Sequence, residues 1–193
     1  MLANCESIDE KVASYIPDDE QGQYAAVQAL LAAGYRQPLC LHLPADHLAT
    51  TRRRHGLERA CREAGLDPDR LDHSYMAFGD EHYRDIPSVL QAHIQNGLPQ
   101  FDSVICGNDR IALMVYQTLL AQGIRIPEDI AVIGYDNMVG IGELFLPPLS
   151  TVQLPHYEIG RLSVLHIIHG ETHRETTRVE SPFLMRNSIT HLS

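Results

Sequence analysis

The stretch DSVICGNDRIALMVYQTLLAQGIRIPEDIAVIGYDN, Asp102 to Asn137, decides the fold. Its apolar opening, Asp102–Cys106, reads as a strand. The loop Gly107-Asn108-Asp109 follows, with Asp109 placed to cap a helix over Arg110–Ala121 that stops at Gly123. Pro127-Glu128-Asp129 then leads into Ile130–Tyr135, a nearly unbroken apolar run. A strand without a polar face is covered on both sides, and that is the habit of parallel sheets clothed by helices.

Outward from this unit the same alternation repeats. Upstream, Ser14–Asp19 reads as a strand ending in a helix cap, and Gln21–Ala33 places Tyr24, Val27, Leu30 and Leu31 on one helical face before Gly34. Strand Pro38–Leu43, a helix from Leu48 to Gly65, strand His73–Phe78 and a helix over Ile86–Gln95, halted by Asn96-Gly97, complete the series. Downstream the rhythm changes. Gly140, Gly142 and Pro147-Pro148 introduce an extended crossing segment, Ser150–Pro155, then a helix over Tyr157–His169 and a last strand, Val179–Met185. The expected class is α/β, a parallel sheet with helices on both faces. Met1–Asn4 reads as a strand with nothing before it to pair with, which predicts that the sheet's natural start lies outside these residues.

With 193 residues, 44% hydrophobic and 21% charged, the chain is long enough for an ordinary buried core, and its composition excludes collagen, coiled coil and disorder. Fifteen basic against 25 acidic residues give a formal net charge of −10, a poor match for a polyanion; any DNA contact needs residues beyond these. Cys5, Cys40, Cys61 and Cys106 lie far apart, without a C-x-x-C pair, as expected of a reduced cytoplasmic protein. No apolar run reaches the ~18 residues of a membrane span.

Ligands of open parallel sheets sit beyond the carboxyl ends of the strands. That rule selects Asp46, His47 and Arg53; Asp80, Glu81 and His82; Asn108 and Asp109; and Asp136 with Asn137. Carboxylates, an amide and a guanidinium suit a ligand dense in hydroxyls. Phe78, Tyr83, Tyr135 and Phe145 are the candidate ring faces. Asp109 reads as a cap before a ligand contact, Asn108 as either a turn residue or a contact, and at most one of Arg52, Arg53 and Arg54 is expected to point inward, such runs usually being solvated faces. Asp136, ending an apolar strand, is the strongest candidate, because a carboxylate there needs a partner.

Catalytic patterns are missing: no G-x-S-x-G elbow, no phosphate loop, and Gly140-Ile141-Gly142 lacks a third glycine. His166, His169 and His173 are spaced suggestively for a metal, but without an H-E-x-x-H pattern they read as packed or surface histidines. Helix Arg110–Ala121 is apolar nearly all round and is expected to be buried either within the fold or against a partner subunit.

Together, Cys106–Asn137 and LPPLSTVQLPHYEIGR, Leu146–Arg161, resemble the effector-binding core of the lactose- and galactose-repressor family. The resemblance spans essentially the whole chain. It implies a type I periplasmic-binding-protein-like fold in two lobes, the N-terminal one incomplete: residues 1–18 and 150–177 in that partial lobe, 19–149 and 178–193 in the C-terminal lobe. It further implies a cytoplasmic, dimeric, sugar-responsive transcriptional regulator that performs no chemistry on its ligand, needs no cofactor, and reaches operator DNA through a headpiece absent here. Sucrose or a related sugar is the implied effector. The family's contacts fall on Arg53, Asn108, Asp136, Asn4 and His156, near Leu154. Gly79-Asp80 is followed by Glu81 where many members carry an aromatic residue, and Tyr83 is the candidate substitute. A transport or chemotaxis sugar-binding protein is the alternative within this fold; a sugar hydrolase using Asp80 and Asp136 is the alternative outside it.

Overall fold

The computed structural model describes residues 1–6, 12–77, 80–138 and 141–191, with Asp80–His82 traced by backbone alone. Two sheets carry the chain. The larger is built from β3 (Pro38–His42), β4 (Asp72–Tyr75), β7 (Ser103–Cys106), β8 (Ala131–Asp136), β9 (Ser150–Gln153) and β11 (Phe183–Leu184) in the order β11-β9-β8-β7-β3-β4. All its pairings are parallel except β9 with β11. The smaller sheet has β2 (Ser14–Pro17) between β1 (Leu2–Ala3) and β10 (Thr176–Val179), all parallel. The helices are α1 (Asp19–Ala32), α2 (Leu48–Glu63), α3 (Ile86–Ala92), α4 (Asp109–Ala121) and α5 (His156–Ile168).

Alternation along the strands divides the core. Leu39, Leu41, Val104, Cys106 and Val132 pack with α3 and α4 on one face; Cys40, Ile105, Ala131, Ile133 and Tyr135 pack with α1 and α2 on the other. Every one of these residues is buried, which accounts for runs that show no polar face. The α/β expectation, a parallel sheet covered on both sides, is met. From β3 the chain steps to β4 on one side and later to β7 on the other, so the strand order reverses between β3 and β7. Clefts at that reversal are where ligands of doubly wound sheets sit.

Helices α1 and α2 cross at a glycine. A Cβ built on Gly56 lies 2.1 Å from the Glu20 carbonyl oxygen and 2.9 Å from the Tyr24 nitrogen, backbone atoms that cannot swing aside. Alanine is the better helix former, yet Gly56→Ala is expected to lower stability by about 2–3 kcal/mol, because overpacking outweighs propensity. A urea unfolding curve checks this; an unchanged or higher midpoint contradicts the close crossing.

Several sequence expectations need correction. Asn96-Gly97 does not merely halt a helix: both residues have positive φ (52° and 78°), and they turn a two-residue hairpin between β5 (Ile94–Gln95) and β6 (Leu98–Pro99). The helix before it is accordingly shorter, ending at Ala92. Strand His73–Phe78 is observed as Asp72–Tyr75, and Phe78 lies outside the described residues. The single strand expected at Val179–Met185 is two: β10, ending at Val179, and β11, which belong to different sheets. Sheet membership also differs from the expected lobe boundaries of 149/150 and 177/178. β9 hydrogen-bonds to β8 from Ser150 to Gln153 and stays with the large sheet, while β10 pairs with β2 through Val179.

Candidate functional site

Three segments at the carboxyl ends of the large sheet, those following β7, β8 and β9, converge on an open cleft of about 680 Å³. Asn108, Asp136 and Asn137 line it from the large sheet, and Leu154, His156 and Tyr157 line it from the crossing into α5. A second depression of about 520 Å³, around Pro38, Asp72 and Gln100, lies at the opposite, amino-terminal ends of the strands. The loop rule favours the first.

Arg53 reaches the site from inside the protein. Thr50, Arg53, Leu57 and Ala60 follow one another at helical spacing on the buried face of α2, so Arg53 alone of the arginine run turns inward. Arg52 pairs with Glu6, and Arg54 donates to Glu58 at 2.7 Å and to the Tyr75 hydroxyl at 2.9 Å. The guanidinium of Arg53 lies 3.5 Å from the centre of the buried Tyr135 ring. Its Nε donates to Asp19 Oδ1 at 2.9 Å, and its Nη1 to the Gly107 carbonyl at 2.7 Å. That leaves Nη2, which stands 4.0 Å from Asp136 Oδ1. The arginine ties α1, α2, β8 and the loop after β7 together while one of its donors faces the aspartate.

Asn108, not Asp109, is the N-cap of α4: its Oδ1 accepts from the Ile111 amide at 2.9 Å, while its Nδ2 donates to the Tyr83 hydroxyl at 3.0 Å. The expectation that Asp109 caps the helix is therefore wrong. Asp109 is the first helical residue and points into the fold, accepting from Thr151 Oγ1 at 2.7 Å and from the Met138 amide at 3.0 Å. Thr151 and the Met138 amide draw the Asp109 carboxylate into the fold, and the short amide one residue earlier takes the cap. A Cβ on Gly134 would lie 2.3 Å from Asp109 Oδ1, so glycine is needed beside it.

By holding Met138, Asp109 fixes the turn after β8. Asp136 and Asn137 both have positive φ (108° and 47°), an uncommon pair that swings the chain across the cleft floor. Asn137 Oδ1 accepts from Arg186 Nη2 at 3.0 Å. Asp136 is a quarter exposed, and burial pushes its carboxyl up to about 7, a rise that Arg53 offsets only in part and that Asp109 and Asp19 reinforce.

The sign of that shift makes a prediction. Between pH 3.8 and about 7 the folded chain keeps a proton that the unfolded chain releases, so stability falls as pH rises through this window. His42 acts oppositely. Burial in β3, with His73 and Arg54 adding to it, pushes its imidazole down to about 3, so stability falls as pH drops below 6.5. The two effects overlap and mask each other in the parent. Asp136→Asn removes one of them. It is expected to match the parent near pH ~4 and to exceed it by about 2–4 kcal/mol above pH ~7. Urea midpoints across pH check this; a constant difference at every pH contradicts it.

Of the sequence candidates, Asn108, Asp136 and His156 line one cleft, with Arg53 buried behind Asp136 at 4.0 Å and Tyr83 linked through Asn108. Asn4 sits exposed just past β1 with φ 59°, two residues before Glu6, whose pairing with Arg52 ties that segment to α2. Asp80, Glu81 and His82 have no described side chains. The candidate ring faces fare differently. Tyr135 is buried beneath Arg53, Phe145 packs edge-on against Tyr116 in the core, and Tyr157, unselected by sequence, is an exposed aromatic at the cleft. Its position beside His156, where the crossing segment enters a helix, was the available signal.

A doubly wound α/β scaffold with a polar, aromatic-edged cleft at the carboxyl ends of its strands defines a small-molecule binding domain of the periplasmic-binding-protein type. The family described as periplasmic binding proteins and sugar-binding domain of the LacI family matches residues 1–187, and the chain belongs to that family. It is 55% identical to the sucrose operon repressor of Escherichia coli over 188 residues, covering 97% of this chain and 57% of that protein. Among solved structures, a LacI-family transcriptional regulator from Enterococcus faecium with bound ribose superposes with a TM-score of 0.81 at 26% identity, over all of this chain and 70% of the other. The transcriptional regulator CelR in complex with cellobiose gives 0.80 at 27% identity, over 97% of this chain and 57% of the other. The chain therefore spans little more than half the length of the sucrose operon repressors it matches.

Proposed function

We propose that the chain is the effector-binding part of a cytoplasmic, sugar-responsive transcriptional repressor, with sucrose or a related sugar as the effector. The observation that carries the reading is the 4.0 Å gap between Arg53 Nη2 and Asp136 Oδ1. A single hydroxyl bridges the two, accepting from the guanidinium and donating to the carboxylate, and a sugar presents such hydroxyls in series. Asn108 and His156 supply neighbouring polar groups, and Tyr157 offers a ring face for the sugar's C–H surface. The 55% identity to a sucrose operon repressor supports the same class of ligand.

In the longer protein the sugar bridges the two lobes and biases their relative orientation, and residues beyond this chain read operator DNA. DNA affinity then depends on which orientation the sugar favours. The assembly is a homodimer. On α4, Leu113 and Leu120 remain exposed, one face of the helix that sequence left open between core and partner. In this reading the sugar leaves unaltered, as the 55% identity to a repressor supports. Among the described residues no helix is long and apolar enough to cross a membrane.

The test is a mobility-shift assay with the protein extended to the length of its relatives and DNA from upstream of its own operon. Sucrose is expected to change the apparent DNA affinity. Retardation that ignores every sugar, or no retardation at all, contradicts the proposal; export to the periplasm would favour a transport protein instead.

A further inference from the structure

Far from the cleft, four side chains converge on one point. His166 lies in the last turn of α5, Glu171 and His173 in the loop leading to β10, and Tyr15 on β2. His166 Nδ1 is 3.3 Å from His173 Nε2 and 3.4 Å from Glu171 Oε2, while His173 Nε2 and Glu171 Oε2 are 3.0 Å apart. The Tyr15 hydroxyl stands 3.2 Å from each of the two nitrogens. We infer that these side chains form a site for a divalent transition-metal ion of the zinc class, with His166, His173 and Glu171 as ligands and Tyr15 closing the fourth side.

The spacings carry the inference. Ligand atoms sharing a tetrahedral ion at bond lengths of about 2.0–2.1 Å lie about 3.3 Å from one another. The five measured edges bracket that value. Hydrogen-bonded imidazoles instead approach as His42 Nε2 and His73 Nδ1 do, at 2.8 Å. Those two, with Cys40, form the other His/Cys/Asp/Glu cluster among the described residues, and their short contact fits a shared proton, not a shared ion. Proton counting points the same way. His173 Nε2 faces three partners but offers one hydrogen or one lone pair. A cation at the centre engages all the ligands together. Two imidazoles and a carboxylate are a borderline-soft donor set suited to zinc, cobalt or nickel and not to magnesium or calcium.

His166 is almost buried and His173 and Glu171 are part-exposed, so the ion has a route in from solvent. His169, picked out by sequence for its spacing, stands 3.9 Å from the other Glu171 oxygen and is outside the set. His156, at the cleft, lies ten residues before His166 on the same helix, about 15 Å along the axis, so the site is separate from the sugar cleft.

Cobalt(II) titrated into the metal-stripped chain tests this, followed by visible absorption and with zinc as the competitor. Expected are tetrahedral d–d bands saturating at one ion per chain, displaced by zinc, and affinity at least about 100-fold weaker in His166→Gln and His173→Gln. Tyr15→Phe keeps the bands and shifts them. Glu171→Gln sits on the surface loop and keeps the fold, so it carries the test should His166→Gln fail to fold; there too a large loss of affinity is expected. Absent bands, weak octahedral bands unchanged by the variants (exposed carboxylates), or sulfur charge-transfer bands (Cys5 or Cys40 as ligand) overturn the site in favour of a hydrogen-bonded cluster.

Discussion

Replacing Arg53 with alanine is expected to destabilise the chain by about 3–5 kcal/mol, the usual cost of removing one partner from a buried ion pair. Asp19 is 4% exposed and would lose the donor that faces it, the Gly107 carbonyl would lose its partner, and Tyr135 would lose the plane stacked over it. Arg53→Lys keeps the charge but replaces a planar fork with a point donor, so about half that loss is expected. Asp19→Asn in the Arg53→Ala background should recover part of the stability, because the buried charge is gone. Urea unfolding of the parent, Arg53→Ala, Asp19→Asn and the double variant gives the coupling. A loss below about 1 kcal/mol for Arg53→Ala shows the guanidinium to be a solvated surface group and contradicts its place at the junction of α1, α2 and β8.

The second large effect concerns binding. In the protein extended to the length of its relatives, Asp136→Ala is expected to abolish the thermal stabilisation that sucrose produces and to weaken its affinity roughly 100-fold. That is the scale of losing a charged hydrogen-bond acceptor together with the bridge to Arg53. The fold should remain, since Asp136 is a quarter exposed and its carboxyl makes no short ion pair. Calorimetric titration and differential scanning of parent and variant check both halves. An unchanged sugar-induced shift removes Asp136 from the site.

Both residues were legible in the sequence for different reasons. Asp136 announced itself by ending an apolar strand. Arg53 is marked by the loop rule and by the family resemblance, not by its own run, and the structure buries it on the Thr50, Leu57, Ala60 stripe while Arg52 and Arg54 pair at the surface. The parallel sheet was legible from strands without a polar face. Less legible were features that depend on tertiary competition. Asp109 looked like a cap because it follows a strand, but Thr151, 42 residues on, draws it inward and Asn108 caps instead. Asn96-Gly97 suits both a helix stop and a hairpin turn, and only the pairing of Ile94 with Pro99 decides between them. The lobe boundaries depend on which neighbour β9 and β10 find, a choice that local pattern does not encode. Tyr157 carried only a weak signal, its place beside His156 where the crossing segment enters a helix, until α5 was placed beside the cleft.

A crystal structure of the extended protein grown with sucrose tests the central claim most directly. The account predicts a sugar hydroxyl between Arg53 Nη2 and Asp136 Oδ1, within hydrogen-bond distance of both, with the disaccharide intact. A sugar bound instead at the amino-terminal ends of the strands near Pro38 and Asp72, or one found cleaved in the cleft, would contradict it.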